Sequence, residues 1–182
     1  MKCILPILAY FVFVTASSAQ GVSSSASQSI SLELSNAIAM SFQSTGSNTG
    51  DAVNLSFNTV SNLINGVASG LQQLQIKSNK QFNVSVATTT TNFTYSGSVI
   101  PAPVMPVSGV LNLKVAANNT GGAVPSAFNG NYASISNTAQ LILANAQNSN
   151  NATFAVQYQA IPGAAYPAGS YSTSVLYTAT QP

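Results

Sequence analysis

This chain has no histidine, no tryptophan, a single cysteine, and charge on only 3% of its residues. Each shortage excludes something. Without histidine, the commonest general base and the commonest metal ligand are missing. Glu33 and Asp51 are the only acidic side chains. Glycosidase chemistry would need both on one bond, yet Glu33 lies on the outward side of an alternating stretch and Asp51 follows Gly50 in a turn-like one. No loop offers the several carboxylates a calcium site needs. There is no arginine and no basic stripe, hence no electrostatic reason to bind nucleic acid. Lys77, Lys80 and Lys114 leave a Ser–Lys dyad as the one catalytic option; the simpler reading is that they keep exposed strands soluble. The expectation is a protein that is not an enzyme, with no catalytic residue, no cofactor and no metal.

Ordinary soluble domains carry about 25% charged residues. Polarity here comes instead from Ser, Thr, Asn and Gln, and such a surface has little long-range repulsion, so neutral copies can approach closely. The cysteine, Cys3, sits at the front of a leader-like segment. Lys2 supplies a positive start, Ile4 to Val14 are apolar, and Ser17 and Ala19 are the small residues before a cut at Gln20. A membrane-spanning helix needs about 18–20 apolar residues, and this run is shorter. The expectation is a signal peptide over 1–19 and a secreted, cell-surface product without a membrane span. That product has no cysteine and no disulfide, so its stability must come from packing, backbone pairing or assembly.

Alternation dominates the rest. Ile30, Leu32, Leu34, Ile38, Met40 and Phe42 share one parity, with Ser, Glu and Ala on the other. Period 2 is the signature of a half-buried strand. The thirteen residues from Ile30 to Phe42 would span about 43 Å, roughly twice a usual strand. Either Asn36 divides the run, or it extends past its own domain. Val53, Leu55 and Phe57 alternate next. Leu74 and Ile76 lead through Ser78, Asn79 and Lys80 into Phe82, Val84 and Val86, which reads as a hairpin. Val60, Leu63, Ile64 and Val67 have helical spacing, but Gly66 and Gly70 limit any helix to a turn or two. Pro101, Pro103 and Pro106 mark a connection. Leu111, Leu113 and Val115 alternate, then a loop from Asn118 to Asn131 precedes Leu141 and Leu143, and Phe154, Val156 and Tyr158. The last strand is expected to carry Tyr171, Thr173, Val175, Tyr177 and Ala179 on one face. Eight or nine strands without a long helix predict an all-β, antiparallel two-sheet sandwich.

Five Asn-X-Ser/Thr sequons, at Asn54, Asn83, Asn92, Asn118 and Asn151, are no more than so much Asn, Ser and Thr yields by chance. Tyr171 and Tyr177 are read as packing residues, while Tyr158 and Tyr166 are left open to a role in binding.

The closing segment Tyr166 to Thr180, YPAGSYSTSVLYTAT, resembles the last strand of secreted pilin-like domains, the spore-coat-U-type and chaperone–usher fimbrial subunits. The stretch from Leu74 to Val86 is similar to a hairpin in the same proteins. The chain departs from many fimbrial subunits in lacking their disulfide. The resemblance implies an immunoglobulin-like sandwich completed by a strand from a neighbouring copy. The alternating N-terminal run meets that implication independently, because strand addition uses backbone bonds for affinity and alternate side chains to fill a groove. Residues 20–36 are therefore expected to be an extension donating Ile30, Leu32 and Leu34 to the next subunit. Residues 37–182 would be the sandwich, with Ile38, Met40 and Phe42 packed at home. The function expected is a structural subunit of an extracellular filament, pilus or surface layer, a homopolymer. The alternative is a monomeric secreted adhesin or carbohydrate-binding module, with a surface receptor or glycan as partner.

Overall fold

The structure, a computed structural model, describes residues 24–43 and 52–182. The leader, the cut before Gln20 and Asp51 lie outside them. The chain divides into two units, Met1–Leu34 and Ser35–Pro182. In the first, residues 24–34 have no regular secondary structure and every one is exposed.

The second unit is antiparallel β. Among the described residues, eleven strands and one short helix run in the order β1 (Ile38–Gln43), α1 (Val60–Asn65), β2 (Val67–Ala68), β3 (Gln72–Ser78), β4 (Phe82–Thr88), β5 (Thr94–Ser96), β6 (Leu111–Asn118), β7 (Ala133–Ser134), β8 (Gln140–Ala146), β9 (Ser149–Ala160), β10 (Ser170–Ser172) and β11 (Val175–Thr180). The larger sheet has the order β1-β3-β9-β6-β7, with β2 also on β9; the smaller is β11-β4-β8, and β10 and β5 form a separate ribbon. Leu74, Ile76, Leu113, Phe154 and Val156 from the larger sheet meet Phe82, Val84, Val86, Ile142 and Leu143 from the smaller in one apolar cluster. The architecture is thus an all-β sandwich.

Period-2 patterning explains the central strands. In β3, Leu74 and Ile76 are buried while Lys77 is exposed, and β4 alternates in the same way from Phe82 to Thr88. The expected hairpin between them does not form. β3 pairs with β1 and β9, whereas β4 pairs with β8 and β11. Residues 79–81 therefore carry the chain across the core, from one sheet to the other. Ser78 shapes the corner: its hydroxyl donates to the Lys80 carbonyl at 2.6 Å and accepts from the Lys80 amide at 3.3 Å. The apolar faces of both strands are satisfied by facing each other across the sandwich, which paired neighbours in one sheet could not do.

Other expectations shift for local reasons. Residues 52–58 form no strand, although Leu55 and Phe57 pack against the core. In β8, Leu141 is 45% exposed while both Ile142 and Leu143 are fully buried. The register on β4 slips between Val84 and Ser85, and such a bulge lets consecutive residues share a face. The final alternating stretch is divided at Thr173 and Ser174, so that Tyr171 belongs to the ribbon and Tyr177 to the sandwich. The helix is short, as its glycine demands: Thr59 caps it through the Asn62 amide at 3.1 Å, and Gly66 ends it with φ 82°.

One outer edge of the smaller sheet is covered. Ala123 exchanges two 2.8 Å backbone bonds with Ala144 of β8. The covering loop is held by Asn118, which accepts from the Thr120 amide and hydroxyl and donates to the Gly122 carbonyl. A side chain at Gly122 would lie 2.7 Å from the Ala144 carbonyl oxygen and from the Ala146 Cα. Both are backbone atoms that cannot step aside. Gly122→Ala is expected to cost about 1–3 kcal/mol through overpacking and to strip the cover from β8. Equilibrium urea unfolding measures the first effect, and faster amide exchange at Ala144 the second.

Candidate functional site

The opposite side of the sandwich has no such paired cover among the described residues. Among the described residues, β1 ends the larger sheet and β11 ends the smaller one, with no strand paired to either outer edge. The two lie side by side. Phe42 of β1 meets Tyr177 of β11 edge to face, with ring centroids 5.9 Å apart. Beneath them a groove of about 180 Å³ is lined mostly by apolar side chains, Met40, Phe42, Leu74, Val175, Leu176 and Tyr177, together with Ser41. An apolar cavity of about 150 Å³ holds a benzene ring, so the groove has room for a large apolar side chain.

Each wall follows from the sequence. β1 pairs with β3 over its whole length, Ile38 opposite Ser78 through Gln43 opposite Gln73. That register turns Ile38 and Met40 toward the core, while Phe42 stays 39% exposed at the groove mouth. β11 places Tyr177 inward with Val175 and Ala179 half-buried, and Leu176 outward. At the far end of the groove, amide side chains tie the two strands. The Gln181 amide donates to the Ala37 carbonyl at 2.9 Å and the Ser78 hydroxyl at 2.8 Å. Asn79 donates to the Ser35 carbonyl at 2.8 Å and accepts from the Ala37 amide at 2.9 Å. β1 thus begins from a fixed point. A wider cleft of about 540 Å³ near that point is lined by Ala37 to Ala39, Lys77 to Asn79 and Asn148 to Asn150. Its one charged group is Lys77.

The remaining sequence-nominated residues fall elsewhere. Ile30, Leu32 and Leu34 are 82%, 81% and 84% exposed, in the unit before Ser35. Tyr158 is buried in the sandwich, its hydroxyl 2.7 Å from that of Tyr177. The pair joins β9 to β11, and its hydroxyl contact is buried. Burial pushes the Tyr158 hydroxyl up to about 12, partly offset by its bond to Tyr177. Burial, and then Tyr158 itself, hold Tyr177 well above the ordinary value of 10.0. Tyr166 belongs to an aromatic group on the ribbon: Tyr95 and Tyr171 are directly opposed across β5 and β10, with centroids 5.0 Å apart, and Tyr166 lies 6.4 Å from Tyr171. Sequence reasoning missed Tyr95 as a member, because only the pairing of β5 with β10 brings residues so far apart together.

Lys114 lies over the Tyr132 ring, 4.6 Å from its centroid. Among the described residues no cluster of three or more His, Cys, Asp or Glu side chains could hold a metal ion, and no helix is long and apolar enough to cross a membrane. No protein-family model matches this chain, and no curated protein matches it in sequence.

Proposed function

We propose that this chain is a non-enzymatic structural subunit of an extracellular filament, pilus or surface assembly, built by strand addition between identical copies. The observation that carries the reading is the pair of adjacent sheet edges, β1 and β11, unpaired among the described residues, with a largely apolar groove between them. A strand laid along such an edge gains backbone hydrogen bonds, and alternate side chains enter the groove. The same chain supplies a matching donor. Ile30, Leu32 and Leu34 alternate, are more than four-fifths exposed, and span about 16 Å when extended, against about 20 Å for a six-residue edge strand.

Donor and acceptor are different surfaces of one protein. A contact of this kind is heterologous and, where rotation does not close a ring, continues into an open filament. Low charge supports close approach of copies, and the leader-like N-terminus supports assembly outside the cell. The pilin-like completion of a sandwich by a neighbour's strand belongs to the same reading.

Deleting residues 20–35 tests it. The shortened chain is expected to keep its β circular dichroism and to stay monomeric in light scattering and electron microscopy, where the parent forms fibres. Adding a peptide of residues 28–36 should cap the parent and shorten its fibres. Unchanged oligomers from the deletion variant would overturn the proposal.

A further inference from the structure

The connection from Gly97 to Pro106 presents apolar side chains to solvent: Ile100 is 92% exposed, Val104 70% and Val99 40%. It is a braced projection rather than a loose loop. Pro101, Pro103 and Pro106 limit its backbone freedom. Its base is closed by the Phe93 amide on the Met105 carbonyl and the Val107 amide on the Thr91 carbonyl, both 2.9 Å. Met105 and Val107 anchor that base in the core, at 4% and 0% exposure.

Beside this apolar tip stands the tyrosine group. The Tyr95 hydroxyl donates to the Ala168 carbonyl at 3.1 Å and accepts from the Val99 amide at 3.4 Å, which joins the ring directly to the tip. The Tyr171 hydroxyl donates to the Pro167 carbonyl at 2.9 Å. Tyr95 is also held closely by glycine: a side chain at Gly169 would lie 2.3 Å from its ring. All three rings are partly exposed. No Asp, Glu, Lys or Arg occurs between Lys80 and Lys114, or after Lys114, so neither tip nor ribbon brings a charge that would have to be desolvated.

We infer that the Val99–Val104 tip, with Tyr95, Tyr166 and Tyr171 as its collar, inserts into the surface of a neutral lipid bilayer. Tyrosines with an apolar body and a hydrogen-bonded end favour the headgroup level, while isolated apolar side chains favour the acyl boundary below it. An uncharged tip suits a zwitterionic surface and gains nothing from an anionic one. The irregular, proline-braced backbone offers no strand edge to another protein chain. A single small tip binds weakly, as one acyl chain does, and many copies on one assembly would bind by avidity. The inference does not depend on the polymer reading, because a lone subunit carries the whole tip.

The absence of tryptophan makes Ile100→Trp a clean reporter in a chain of residues 20–182. Its emission is expected to shift to the blue with phosphatidylcholine vesicles, half-saturating at about 0.1 mM lipid, and equally at low and high salt. In vesicle flotation of the otherwise unaltered chain, I100D combined with V104D should lower the bound fraction at least tenfold. Both side chains are exposed, so the thermal midpoint should not move. Four outcomes would overturn the inference: no emission shift at about 10 mM lipid, equal flotation of the double variant, binding only to vesicles carrying a glycolipid, or a shift that follows protein concentration without lipid. The last two would place a sugar or a second copy at the tip.

Discussion

Replacing Phe154 with alanine is expected to remove about 3–5 kcal/mol of stability, a large share of the roughly 5–15 kcal/mol that holds an ordinary domain together. Phe154 is 1% exposed and sits on β9, the twelve-residue strand around which the larger sheet is built. Its backbone lies opposite Leu74 on one side and Asn118 on the other. Its ring faces the smaller sheet in the common cluster with Phe82 and Val84. Removing it leaves a cavity bounded by two sheets whose backbones are fixed by pairing, so the walls cannot collapse to fill it. No disulfide is available in residues 20–182 to limit the unfolded state. Urea unfolding of F154A should show a midpoint lowered in proportion, with the parent slope if folding stays two-state. A loss below about 1 kcal/mol would show that the core repacks freely.

The second large effect comes from the buried Tyr158–Tyr177 pair. Each hydroxyl is the other's partner at 2.7 Å, and both rings are nearly inaccessible, at 7% and 8% exposure. Tyr177→Phe leaves the Tyr158 hydroxyl buried without its partner, at an expected cost of about 1–3 kcal/mol. Removing both hydroxyls leaves no orphan, so Y158F/Y177F should lie closer to the parent than either single variant, a coupling that a double-mutant cycle reads directly. The same pair sets the alkaline limit. An unfolded tyrosine titrates near 10, whereas the folded Tyr158 is pushed up to about 12, first by burial, and Tyr177 is raised as well.

As pH rises through 10, unfolded chains therefore release these protons while folded chains keep them. Stability from this source is unaffected below about pH 9 and falls between about pH 10 and 12, by about 3 kcal/mol for Tyr158 alone. Y158F/Y177F should lose most of that alkaline decline. Without histidine, nothing comparable titrates near neutrality. An equally steep decline in the double variant would place the responsible groups elsewhere.

The alternation of Leu74 and Ile76, of Phe82 to Val86, and of Leu111 to Val115 identified strands and their inward faces from the chain alone. The reason is local: side chains on an extended backbone alternate between faces whatever lies opposite. The short helix and its stop at Gly66, the proline-spaced connection and the poverty of catalytic groups were visible in the same way, because each depends on residue identity or nearest neighbours. Partners were not visible. Alternation marks an inward face but not which sheet its strand joins, so β3 and β4 read as a hairpin although they belong to different sheets.

Register is likewise set by long-range packing, and a single bulge was enough to bury Ile142 beside Leu143. The last alternating stretch looked continuous, yet its two halves pair with β5 and with β4, which separates Tyr171 from Tyr177. The open groove is the furthest from any local signal. Met40, Phe42, Val175 and Tyr177 become neighbours only because β1 and β11 each end a sheet on the same side of the core. In the sequence those positions mark four ordinary inward-facing residues; that they line an edge unpaired among the described residues follows from the order of strands, a property that no alternation of side chains encodes.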